Sequence, residues 1–202
     1  MISIKNLHKH FGSQVVLDGV DLEIEQGKTT AVVGPSGTGK SVLLKIITGL
    51  LPADGGDVLI NGESMTAARS GTERRQICSK MGVLFQAAAL FDSLTLFDNV
   101  AFPLRQRREL SEETIRRKTS ERLDQVGLVK VALRFPGELP MGMRKRTGIA
   151  RALVTDPETI LFDEPNTGLD PEVGQEIYEL IRRTQAESRF TGIVISHETP
   201  EV

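Results

Sequence analysis

With 202 residues, 39% of them hydrophobic and 26% charged, the chain has room for one domain with a substantial core and the balance of an ordinary globular protein. Its net charge of -2, from 25 Lys+Arg against 27 Asp+Glu, argues against a general nucleic-acid binder, which is usually basic. A single cysteine, Cys78, excludes an internal disulfide and a thiolate metal cluster.

Met1–Leu7 and Asp21–Glu25 alternate apolar and polar residues, as half-buried strands do. Met1–Phe11 has no apolar h-region, so it does not read as a signal peptide. Thr29–Val33 is a β-branched run that stops at Gly34. Lys40–Leu50 then places Val42, Leu43, Ile46, Ile47 and Leu50 on one helical face. Gly55-Gly56 and Asn61-Gly62 bracket a short strand, Asp57–Ile60. Met81–Phe85 predicts a strand ending at Gln86, and Ser111-Glu112-Glu113 starts a helix that runs to about Gly127. Thr159–Phe162 predicts a buried strand. Asp170-Pro171 is an N-cap followed by proline at the first helical position, and Val173, Ile177, Leu180, Ile181 and Thr184 form the stripe of the helix after it. Gly192–Ser196 is a last strand.

Strands alternating with helices predict an α/β fold with a mainly parallel sheet covered on both faces. No repeat, low-complexity stretch or linker divides the chain. No apolar stretch approaches the ~20 residues a membrane helix needs. The basic clusters Arg105, Arg107 and Arg108; Arg116, Arg117 and Lys118; and Arg144, Lys145 and Arg146 sit in helix-like sequence with acids nearby, and read as solvated faces. His8, His10 and His197 are too scattered to suggest a metal site.

The sharpest motif runs from the strand end into the first helix. Gly34, Pro35, Ser36, Gly37, Thr38, Gly39, Lys40 and Ser41, followed by Val42, fit G-x-x-x-x-G-K-[ST] at every fixed position. Glycines let the backbone curl so that N–H groups converge on phosphate oxygens, and the helix N-terminus adds its positive end. Lys40 would reach the β- and γ-phosphates, and the Ser41 hydroxyl would take one Mg²⁺ position. A phosphate loop needs a metal ligand and a means of activating water. Asp163 and Glu164, after the apolar Ile160-Leu161-Phe162, supply both: Asp163 for the metal, Glu164 for the water. Two adjacent carboxylates at a strand end also suit a plain turn; the phosphate loop tips the balance to chemistry.

What surrounds the acidic pair resembles the ATP-binding subunits of ABC transporters, in the right order over the whole chain. Asn166-Thr-Gly-Leu-Asp170 resembles their D-loop, Ser196-His197 their switch histidine, Gln86 their Q-loop, and Phe11 the aromatic that stacks on adenine. Leu139–Ala152 occupies the place of their signature motif, with Gly142 the remaining signature glycine. Taken singly, Gln86, His197 and Phe11 equally suit structural roles. The resemblance implies a P-loop NTPase core of RecA type, an antiparallel β subdomain and a helical signature subdomain at about 88–157, within a single domain spanning 1–202. It implies ATP and Mg²⁺ as cofactors, with Ser41, Gln86 and Asp163 around the metal. It implies Glu164, His197 and Gln86 as the catalytic set, His197 on the γ-phosphate, and Asp170 communicating across a homodimer that sandwiches nucleotide.

Phe85–Leu104 and Gly142-Met143-Arg144-Lys145-Arg146 resemble, more narrowly, the ATPase of MCE-linked lipid transporters of the Mla type. That subgroup implies phospholipid transport across a bacterial envelope through a separate MCE-family permease, with a STAS-domain regulator as a possible further partner. The subunit would be peripheral on the cytoplasmic face of the inner membrane, with no nucleic-acid partner.

Two departures qualify the expectation. Where the family signature reads Leu-Ser-Gly-Gly, this chain has Leu139-Pro140-Met141-Gly142, and proline offers neither hydroxyl nor N–H. Either hydrolysis is slowed, leaving an ATP-binding clamp, or the change is tolerated. The family pattern also continues beyond the switch histidine with further strand and helix, whereas this sequence stops at Val202.

Overall fold

The computed structural model describes residues 1–68, 70–107 and 109–197; Arg108 of the first basic cluster lies outside them. Two sheets organise it. β1 (Ile2–Phe11) and β2 (Gln14–Ile24) form an antiparallel hairpin, and β4 (Gly55–Ile60) pairs with the other edge of β1. The two-residue β5 (Glu63–Ser64) closes this sheet in the order β2-β1-β4-β5. The second sheet is parallel, in the order β3-β8-β7-β6, from β3 (Thr29–Val33), β6 (Met81–Leu84), β7 (Thr159–Asp163) and β8 (Thr191–Ser196).

The parallel sheet is buried on both faces at its centre, as helical crossovers require. Along β7, Ile160 and Phe162 enter one core while Leu161 enters the other; along β8, Val194 faces the first, and Ile193 and Ile195 face the second. The first core is closed by α3 (Leu96–Arg107), α4 (Glu112–Gln125), α5 (Met141–Leu153) and α6 (Pro171–Ser188). The second lies between the antiparallel sheet, α1 (Lys40–Ile47) and α2 (Gly71–Cys78). β3 is an edge strand, and Val33 at its end is 43% exposed.

Most predicted elements appear within a few residues of their expected bounds. β1 and β2 are longer than the alternation showed, because register shifts between Ile4 and Leu7 interrupt the period. α1 ends at Ile47, so Leu50 leaves the helical stripe and is 63% exposed. α2 is not among the predicted helices, and of α3 only the end at Arg105 and Arg107 reads as helix-like in the sequence. α2 starts with a capping box, Ser70 against Glu73. α3 contains Pro103, which interrupts the backbone ladder and hides the period. α5 approaches β6 so closely that a Cβ on Gly82 would lie 2.4 Å from the Ala152 carbonyl oxygen. That contact brings the α5 side chains to the strand ends.

Candidate functional site

Because β3, β8, β7 and β6 run parallel, the loops at their carboxyl ends lie side by side at one edge of the sheet, where open α/β sheets place ligands. Strand order therefore fixes the order of chemistry. The phosphate loop follows β3, His197 follows β8, Asp163-Glu164 ends β7, and Gln86 follows β6. The histidine stands between the phosphate loop and the acid, with the glutamine on the acid's far side.

The phosphate loop is held by short local bonds. Thr38 Oγ1 donates to the Pro35 carbonyl at 2.9 Å. Gly39 adopts φ +93° as the N-cap of α1, and a Cβ there would crowd Val16 and Leu17 at 3.1 Å, so the left-handed turn and the packing both require glycine. No side chain caps α1, which leaves its first N–H groups free for an anion. Lys40 is buried and its Nζ donates to the carbonyls of Gly34 at 2.6 Å and Pro35 at 2.8 Å.

His197 joins this loop to the acid. Lys40 Nζ lies 3.4 Å and Ser36 Oγ 3.5 Å from Nδ1, and Nε2 contacts Glu164 Oε1. An ammonium can only donate, so Nδ1 is the acceptor and the proton sits on Nε2, facing the carboxylate. Glu164 is 5% exposed and takes two more bonds on Oε2, from Gln86 Nε2 at 2.8 Å and Thr167 Oγ1 at 3.1 Å. Its backbone is left-handed, φ +48°, a conformation that costs a non-glycine residue about 1–3 kcal/mol and concentrates at functional sites.

Asp163 differs in kind. Burial, then the adjacent Glu164 charge, push its carboxyl above the ordinary range, against Lys45, Lys145 and His197. Its Oδ1 is buried without a hydrogen-bond partner. A buried, unsatisfied carboxylate oxygen is the donor a hard cation takes.

Of the remaining predicted residues, Ser41 stays beside Lys40 at the start of α1 and the others lie elsewhere. Pro140, Met141, Gly142 and Asp170 line a cleft of about 720 Å³ together with Leu169 and Val173. It shares no lining residue with the Lys40–His197–Glu164 cluster. Pro140 is the N-cap of α5 and makes no side-chain cap bond, as the missing hydroxyl dictates. Phe11, at the tip of the β1–β2 hairpin, is 48% exposed, with Lys9 Nζ 5.4 Å from its ring centroid. Ser41 is exposed at the start of α1.

Sequence reasoning missed Lys145. Placed with Arg144 and Arg146 on a solvated face, it is instead fully buried, because α5 turns that position toward β6. The pattern that could have revealed it is helical: Lys145 falls in step with Ile149 and Ala152, both buried.

The ABC transporter family model matches residues 17–167. The chain is 42% identical over its whole length to the intermembrane phospholipid transport system ATP-binding protein MlaF of Haemophilus influenzae, and spans 76% of that protein. It is 45% identical over 97% of its length to the probable ribonucleotide transport ATP-binding protein mkl of Mycobacterium leprae, of which it spans 56%. It is 42% identical over 90% of its length to the chloroplastic protein TRIGALACTOSYLDIACYLGLYCEROL 3 of Arabidopsis thaliana, of which it spans 54%. Among solved structures, a dimeric ATP-binding cassette in a post-hydrolysis state with ADP and phosphate superposes with a TM-score of 0.88 at 32% identity, over 98% of this chain and 88% of that one.

Proposed function

The chain belongs to the ABC transporter family of ATP-binding cassettes, and we propose that it is the ATP-hydrolysing subunit that powers phospholipid transport across a bacterial envelope through a separate MCE-type permease. The observation that carries the enzymatic part is the three-sided hold on Glu164 by His197, Gln86 and Thr167, directly beside the phosphate loop. A carboxylate so fixed is oriented to polarise one water, and orientation is most of what phosphoryl transfer asks of a protein.

ATP phosphates would lie on the N–H groups of 34–41 and the open N-terminus of α1. Lys40 would exchange the Gly34 and Pro35 carbonyls for phosphate oxygens, and His197, already within reach of Lys40 and Ser36, would meet the γ-phosphate. Phe11 would stack on the base. Among the described residues no cluster of three His, Cys, Asp or Glu could hold a metal unaided. Mg²⁺ suits what is present, since it favours one or two carboxylates plus substrate phosphates. Asp163, with its unpaired Oδ1, would hold it with Ser41 and Gln86. The ion would neutralise charge on the phosphate oxygens.

In a homodimer the cleft lined by Pro140, Gly142 and Asp170 would meet nucleotide on the second copy. None of the described helices is long and apolar enough to cross a membrane. Transport would run through a separate permease of the MCE type, with the helical block of 88–157 facing it and the subunit on the cytoplasmic face of the inner membrane. A STAS-domain regulator fits the same assembly. Similarity to MlaF over the full chain supports the lipid assignment. Reconstitution with the permease in phospholipid vesicles tests it. ATP-dependent transfer of labelled phospholipid, lost in Glu164→Gln, is expected; hydrolysis without transfer would remove the lipid assignment.

A second reading follows from the missing cap bond at Pro140. The chain would then clamp on ATP with little turnover, and binding without hydrolysis would favour it.

A further inference from the structure

Lys145 has no exposed surface, yet its ammonium is not idle. It donates to the carbonyl oxygen of Glu164 at 3.0 Å and to that of Gln86. These two carbonyls belong to different loops, the ones that carry the carboxylate and its amide partner. Both loops are strained in the same sense: φ is +48° at Glu164, +60° at Ala88 and +45° at Ala89. Six residues further along α5, Arg151 donates to the carbonyls of Ala88 at 2.6 Å and Ala89 at 2.7 Å. One helix therefore holds both left-handed turns from behind.

Packing alone does not account for a lysine here. Methionine would fill the same volume without burying a charge, and replacing buried charges by apolar residues of similar size is often neutral or stabilising. Burial pushes the Lys145 ammonium down to about 8, opposed by the Asp163 and Glu164 charges.

We propose that Lys145 is a positioning residue for hydrolysis, tying the Gln86 and Glu164 loops together from α5 so that the amide–carboxylate pair keeps the spacing that orients the attacking water. The inference rests on Glu164 acting on that water. It also gives α5 a mechanical part. The helix begins at the Pro140–Gly142 cleft and reaches the acid pair one turn later, so a shift at the cleft is carried to Glu164 through one side chain.

The test uses Lys145→Met and Lys145→Gln in the full chain. Gln is one bond shorter, satisfies a single carbonyl, and keeps a buried donor if Met fails to fold. The expected kcat loss is at least tenfold for Met and threefold for Gln, with ATP affinity within threefold of wild type. In the Glu164→Gln background neither change lowers the residual rate further, because Lys145 acts through Glu164. Amide exchange at 86–89 and 164–167 rises together in both variants. A folded variant within twofold of wild-type kcat, or equal losses in both backgrounds, overturns the proposal. Unchanged exchange also overturns it, and is measured whether or not the wild type hydrolyses ATP. A wild type no faster than Glu164→Gln refutes the hydrolase reading instead.

Discussion

Asn99 makes the stability of the segment before α3 calculable. Its side chain is fully buried: Phe91 N–H donates to Oδ1 at 2.8 Å, and the two N–H groups of Nδ2 serve the carbonyls of Phe91, Leu94 and Thr95 at 3.0, 3.1 and 3.0 Å, one of them shared. Asn99→Leu keeps the shape and removes all of these contacts. Two of the carbonyls retain backbone donors, Phe91 from Leu94 N–H and Thr95 from Asn99 N–H. The Phe91 N–H and the Leu94 carbonyl lose the side-chain partner. Each unsatisfied buried group costs about 1–3 kcal/mol. Phe91 is 45% exposed, so water reaches it and its share falls at the low end. Burying leucine in place of the amide returns on the order of 1 kcal/mol. The expected net loss is about 1–3 kcal/mol, or a Tm lowered by roughly 2–12 °C for a chain of this size. Urea unfolding with the m value compared between variants measures it. A loss below about 0.5 kcal/mol at unchanged m would show that the Asn99 amide does not hold this segment.

Pro140→Ser with Met141→Gly restores a cap to α5 and a donor to the cleft. If the altered signature limits turnover, kcat rises by about 10²–10³, and an unchanged kcat shows that the alteration is tolerated. Ala89→Gly relieves a left-handed strain of about 1–2 kcal/mol at an exposed position while adding about 0.4–1 kcal/mol of unfolded-state entropy, so thermal unfolding should move slightly upward; a fall of several degrees contradicts the assigned strain. The Asp98 carboxyl is held below its ordinary range by Thr95 Oγ1, then Arg105. A group with a depressed folded pKa adds stability that is present above its unfolded value and lost as pH falls through the folded one. Asp98→Asn should therefore flatten the loss of stability below about pH 4, and an unchanged acid profile rules that contribution out.

The sheet and most of the site are legible in the sequence for one physical reason. Buried parallel strands read as continuous apolar runs, and each ends where chemistry begins, at Gly34, Gln86, Asp163 and His197. Strand order is not legible, because it is set by crossovers; the parallel pairing is what places His197 between Lys40 and Glu164. α2 was readable from the Ser70–Glu73 capping box. α3 was not, since Pro103 breaks its pattern and four of its buried residues owe their burial to neighbouring helices rather than to a clean stripe. Lys145 was misjudged because sequence neighbours suggest a charged face, whereas its environment is made by two loops 59 and 19 residues away.

Steady-state hydrolysis of Mg-ATP by the purified chain, with Glu164→Gln as the blank and ATP binding measured on both, tests the central claim most directly. A positioned acid–base group contributes about 10²–10⁴ in rate, so wild type should exceed the blank by a factor in that range while both proteins bind ATP alike. Equal rates with intact binding would contradict the account of Glu164 and leave a clamp in its place.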